Sequence, residues 1–77
     1  MWILVANLYF PANTAREISI SATTGFDPIS QSTGSGAGGT HVSRIVTVTT
    51  SQTWNLLSNS VPAVTTQYVT FYAVRIG

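Results

Sequence analysis

Asp27, His41 and Ser43 are the residue types of a hydrolytic triad, and all three lie near one glycine-rich stretch. A triad needs its nucleophile on a rigid, strained turn and its base oriented by a third group. No nucleophile elbow surrounds Ser43, and a glycine-rich loop would hold the geometry badly. The two acids, Glu17 and Asp27, have a spacing that fits no acid–base constraint, so each reads as a surface charge. His41 reads as a solvent-facing residue at the start of a strand, with pH sensing a more distant role. Gly34, Gly36, Gly38 and Gly39 lack the Lys-Ser/Thr ending of a P-loop and the following helix of a dinucleotide fingerprint. No catalytic residue is assigned.

The same shortage excludes other chemistry. Cysteine is absent, which removes disulfides and thiolate zinc sites together. One histidine and two separated acids do not make a closed metal cage, so no metal and no cofactor are expected. Only Arg16, Glu17, Asp27, Arg44 and Arg75 carry formal charge, and lysine is missing. An ordinary domain is about one quarter charged. Three scattered arginines and a net charge of +1 do not make a phosphate-binding surface, which argues against nucleic acid as a partner.

Arg44 and the aromatic residues carry more information. Arg44 shares an alternating face with Val42, Val46 and Val48. If buried, it needs a carboxylate or several carbonyls, from Glu17, Asp27, the C-terminal carboxylate or a neighbouring subunit. The reading adopted is that this end of the face is exposed. Trp2, Tyr9, Phe10, Phe26, Trp54, Tyr68, Phe71 and Tyr72 are too many rings for the core of so short a chain. Exposed tryptophan and tyrosine are the usual anchors of protein interfaces. Trp2, Trp54, Tyr68, Phe71, Tyr72 and Arg44 are therefore the candidate interface residues.

The elements that must position these residues read as strands. Trp2, Leu4, Ala6 and Leu8 alternate with Ile3, Val5, Asn7 and Tyr9, the pattern of a strand buried on both faces. Residues 11–14, Pro-Ala-Asn-Thr, supply a turn. Ile18, Ile20 and Ala22 then face inward while Ser19, Ser21 and Thr23 face outward. Gly25 to Pro28 marks another turn, and residues 30–40 read as a flexible Ser/Gly-rich loop or arm. Val42 to Thr50 alternates again and is rich in β-branched residues. Ser51 to Ser60 fits a strand or one helical turn, and Thr66 to Ile76 is the last strand. Tyr68, Thr70, Tyr72, Val74 and Ile76 lie on one of its faces and Val69, Phe71, Ala73 and Arg75 on the other. The expected fold is all-β, a small antiparallel β-sandwich or barrel of four to five strands, with residues 1–77 as a single domain.

A domain of this size buries only about 60% of its unfolded surface. With disulfides and metals excluded, oligomerisation is the remaining means of support. Strands without lysine guards are also hazardous at a free sheet edge. Residues 1–10 are apolar but lack the basic region of a signal peptide, and no apolar run approaches the roughly 18 residues of a membrane-spanning helix.

The runs Ile18-Ser19-Ile20-Ser21 and Val46-Thr47-Val48-Thr49, the glycine-rich stretch, the missing lysines and the C-terminal strand resemble small all-β structural proteins of tailed-phage virions. Capsid cement, decoration and fibre proteins are of this type. The resemblance is one of texture across the chain. It implies a trimeric or higher homo-oligomer on a capsid or tail protein, located in the virion. Two other functions fit the residues: an extracellular carbohydrate-binding module using Trp54 beside Asn55, and a filament or membrane-pore subunit with alternating strands.

Overall fold

A computed structural model of the chain describes residues 1–11, 14–22 and 25–77, with Gln67 described by its backbone alone. The alternating runs all form strands. These are β1 (Trp2–Phe10), β2 (Ala15–Ser21), β3 (Gln31–Gly34), β4 (Gly38–Val46), β5 (Asn55–Val61) and β6 (Gln67–Arg75). No helix occurs among the described residues. Two three-stranded antiparallel sheets result, ordered β4-β1-β6 and β3-β2-β5. The chain changes sheet after β1, β3, β4 and β5. Where the alternation predicts four to five strands, six are present among the described residues.

The core comes mainly from three strands. Leu4, Ala6, Leu8 and Phe10 of β1, Ile18 and Ile20 of β2, and Val42 and Val46 of β4 form one buried cluster. Trp2, Val48, Trp54, Leu56 and Val64 pack against it from the margins. The cluster therefore joins both sheets, and β2 and β3 lie against β4. The molecule measures 40 × 21 × 17 Å, with a radius of gyration of 12.8 Å. A compact domain of this length would give about 11.5 Å. The excess length leaves part of the first sheet uncovered.

Several expectations change. β1 is not buried on both faces: Ile3 and Val5 are half-buried, while Asn7 and Tyr9 are exposed. The reverse holds for β2, where Ser19 and Ser21 are as buried as Ile18 and Ile20. The loop after β2 returns over this strand. The Asp27 N–H donates to Ser19 Oγ at 2.9 Å, and the Ile20 N–H donates to the Ser30 carbonyl at 3.2 Å. Ala22, expected inside, is exposed at the strand end. Ala12, Asn13 and Thr23 lie outside the described residues. The 51–60 stretch resolves as a strand in its second half.

The 30–40 stretch is the largest departure from the sequence reading. Instead of a loop or arm throughout, it forms β3, a three-residue bend and the start of β4. The bend takes the chain from one sheet to the other. Arg16 explains why. Its side chain is only 8% exposed, and its guanidinium sits 4.8 Å above the Phe10 ring. Arg16 Nε donates to Thr40 Oγ1 at 2.6 Å, and Nη1 donates to the Gly36 carbonyl. A Cβ on Gly34 would lie 3.3 Å from Arg16 Nε, so a larger residue would press on the guanidinium. Gly36 and Gly38 adopt φ of 78° and 144°, which L side chains rarely tolerate. Glycine is thus used here to close a bend around a charge.

Removing Arg16 would leave the Thr40 hydroxyl and the Gly36 carbonyl without their donors. Hydrogen bonds to a charged group contribute about 1.5–3 kcal/mol each. Arg16→Met is expected to lower the unfolding free energy by about 2–3 kcal/mol in urea titration. Arg16→Lys should recover less than half of that, since an ammonium lacks the planar fork that reaches both acceptors. Full stability in R16K would show that charge alone suffices.

Candidate functional site

Arg44 projects from β4 toward the other sheet. It forms an ion pair with Asp27, and its Nη1 lies 3.4 Å from both the Ile20 carbonyl and Ser30 Oγ. Its guanidinium stands 4.9 Å from the centre of the Trp54 ring. The exposed Arg44 read from the sequence is thus half-buried, and of its candidate partners Asp27 supplies the carboxylate. The same contact occupies one face of Trp54.

The triad letters are not brought together. Asp27 is engaged by Arg44 and by the Ile29 N–H, which donates to Oδ1 at 2.8 Å. His41 and Ser43 lie on the outer face of the first sheet. There His41 Nδ1 meets Asn7 Oδ1 at 2.8 Å, and Asn7 Nδ2 donates to Thr70 Oγ1 at 3.2 Å. This polar row crosses β4, β1 and β6. Glu17 accepts from Gln31 Nε2. Among the described residues no group of three His, Cys, Asp or Glu is placed to hold a metal ion. No described helix is long and apolar enough to cross a membrane.

The aromatic candidates fare differently. Leu4, Trp54 and Ala73 are shared by two adjoining open hollows of about 360 and 260 Å³. Trp2, Val46 and Val48 extend the first, and Phe71 and Tyr72 extend the second. Together they form an apolar cleft between β6 and Trp54. Trp54 Nε1 is buried there without a partner among the described residues. Four sequence candidates, Trp2, Trp54, Phe71 and Tyr72, therefore meet around one cleft. Arg44 lies behind Trp54.

Tyr68 stands apart. The β1–β6 register slips between Asn7 and Tyr9, so that two residues of β1 span three of β6. Tyr68 sits in this bulge at φ 53°, strained backbone for a bulky side chain. It is 81% exposed and meets Tyr9 edge-on, with ring centres 6.0 Å apart.

β6 is the distinctive element. It is held only by its ladder to β1, and every described side chain along it is exposed. Phe71 remains 40% and Tyr72 52% exposed, and Val69 and Val74 about half. Both faces of the strand are largely apolar. Arg75 is its single charge. The sequence reading does not single out Val69, Ala73 or Val74. The available signal was nine residues of strand without lysine or acid.

No protein-family model, curated protein or solved structure matches the chain.

Asp27 gives the fold a pH dependence. The Ile29 N–H, and then the Arg44 guanidinium, hold its carboxyl below the usual carboxylate range. A depressed value means that folding favours the ionised form. The contribution is complete above about pH 4, the ordinary aspartate value, and is lost as pH falls through the folded one. Asp27→Asn should be less stable than the parent at neutral pH, with the gap narrowing in acid. Thermal melts from pH 7 to pH 2 measure this; a gap constant across the range would rule out the ion pair as its source.

Proposed function

We propose that this chain is a non-enzymatic structural subunit that works by assembling with copies of itself. In this reading its two sheets form a small β-sandwich left incomplete along β6, which a neighbour covers. One observation carries the reading: a nine-residue strand of which no described side chain is buried, apolar on both faces. Tyr68, Phe71 and Tyr72 alone expose roughly 350 Å² if each ring residue offers about 200 Å². Burying that area corresponds to on the order of 9 kcal/mol before the costs of association.

The charge pattern supports the same reading. Arg16, Arg44 and Asp27 are engaged within the chain, and Glu17 meets Gln31. Little charge is left to keep copies apart. The proposed setting is a viral particle, with the subunit decorating or stabilising a capsid or tail. That part rests on the resemblance in texture to phage structural proteins.

Sedimentation equilibrium across the micromolar range tests the assembly. The parent chain is expected to self-associate, and Tyr72→Lys with Val74→Lys to leave a folded monomer, because lysines guard a strand edge. A parent chain that stays folded and monomeric throughout would sink the reading.

A further inference from the structure

From the backbone of β6 we infer how two copies meet: β6 pairs antiparallel with β6 of a second copy about a two-fold axis at Ala73. The inference rests on the self-assembly reading and adds its geometry. The Ile76 N–H donates to the Met1 carbonyl at 2.9 Å, which turns the backbone of Ile76 toward β1. Alternation then turns Val74, Tyr72 and Thr70 toward β1 as well, consistent with their register. The N–H and C=O groups of Phe71, Ala73 and Arg75 point to the open edge. These groups need partners once water is excluded.

Three constraints select the register. A two-fold normal to the sheet keeps inward faces on one side, so residues of like parity must pair. An axis at Tyr72 or Val74 keeps only Phe71 with Ala73, or only Ala73 with Arg75, as bonded partners inside the flat segment, because Val69 lies in the bulge and Gly77 beyond the strand. The bulge at Tyr68 removes residues 67–69 from the flat edge, which rules out an axis at Phe71 that would pair them. An axis at Arg75 would oppose two guanidinium groups. An axis at Ala73 pairs Phe71 with Arg75, Ala73 with Ala73 and Arg75 with Phe71, each pair exchanging two bonds. It sets each arginine beside the other copy's Phe71 ring, a cation–π arrangement. On the outer face Tyr72 meets Val74, a favourable aromatic–β-branched pair. The contact is isologous and closes as a dimer with a six-stranded sheet β4-β1-β6-β6-β1-β4.

Cysteine scanning tests this directly, because the chain has no thiol of its own. Paired residues at the axis lie about 5.5 Å apart between Cα atoms, within disulfide range. Ala73→Cys is expected to oxidise to a covalent dimer. Phe71→Cys is not, since the two positions sit about 14 Å apart along the strands. Ala73→Pro removes an edge donor but no bond to β1. It should raise the dissociation constant roughly tenfold or more while the circular dichroism stays that of the parent. Cross-linking at Phe71 and not at Ala73, undiminished assembly of folded A73P, or a trimeric mass would overturn the two-fold pairing and leave self-assembly standing. A monomeric parent would overturn both. Should A73P fail to fold, the two cysteine variants still decide.

Discussion

Two guanidinium groups cross between the sheets in opposite directions, and the arrangement of the whole chain depends on them. Arg16 leaves β2 to reach Thr40 and the Gly36 carbonyl of the connection into β4. Arg44 leaves β4 to reach Asp27, in the loop that follows β2. Each lies over an aromatic ring, Phe10 in one case and Trp54 in the other. Between them lies a core with eight buried apolar residues among those described. Apolar contact alone is non-directional and would allow the sheets to slide. Fixed donors with fixed acceptors do not. The two arginines set which residue of one sheet faces which residue of the other.

How much of this could be read from the sequence depended on whether local pattern and tertiary neighbours agreed. In β4 they agree: Val42 and Val46 are inside, Ser43 and Ile45 outside, as the alternation predicts. In β1 and β2 they disagree, in opposite senses. The apolar odd face of β1 looks buried, yet Ile3 and Val5 are only half-buried and Asn7 and Tyr9 are exposed. The serines of β2 look solvated, yet a loop supplies partners and takes them out of water. Alternation records which side chains tolerate burial. It does not record whether anything arrives to bury them.

The Ser/Gly-rich stretch shows the same limit. Its composition carries nothing to bury, and flexibility follows if composition is all one has. Its glycines answer to Arg16, a residue some twenty positions earlier that the charge count alone treats as surface. Nothing local links the two. The interface candidates were more legible, because eight rings in a short chain must overflow a small core. Which rings overflow depended on the sheet order, which places β6 at an edge and leaves Trp54 beneath a guanidinium.

The bulge at Tyr68 has a consequence for growth. A flat apolar edge invites addition in any register, and successive additions of that kind build fibrils without end. One left-handed residue in β6 interrupts the ladder and shortens the straight segment to a few residues. A strand that arrives out of register meets the kink instead of a row of donors and acceptors. In the proposed assembly the strained tyrosine works as a punctuation mark in a chain that lacks charged guards, limiting an open-ended tendency to stack to a contact of defined length.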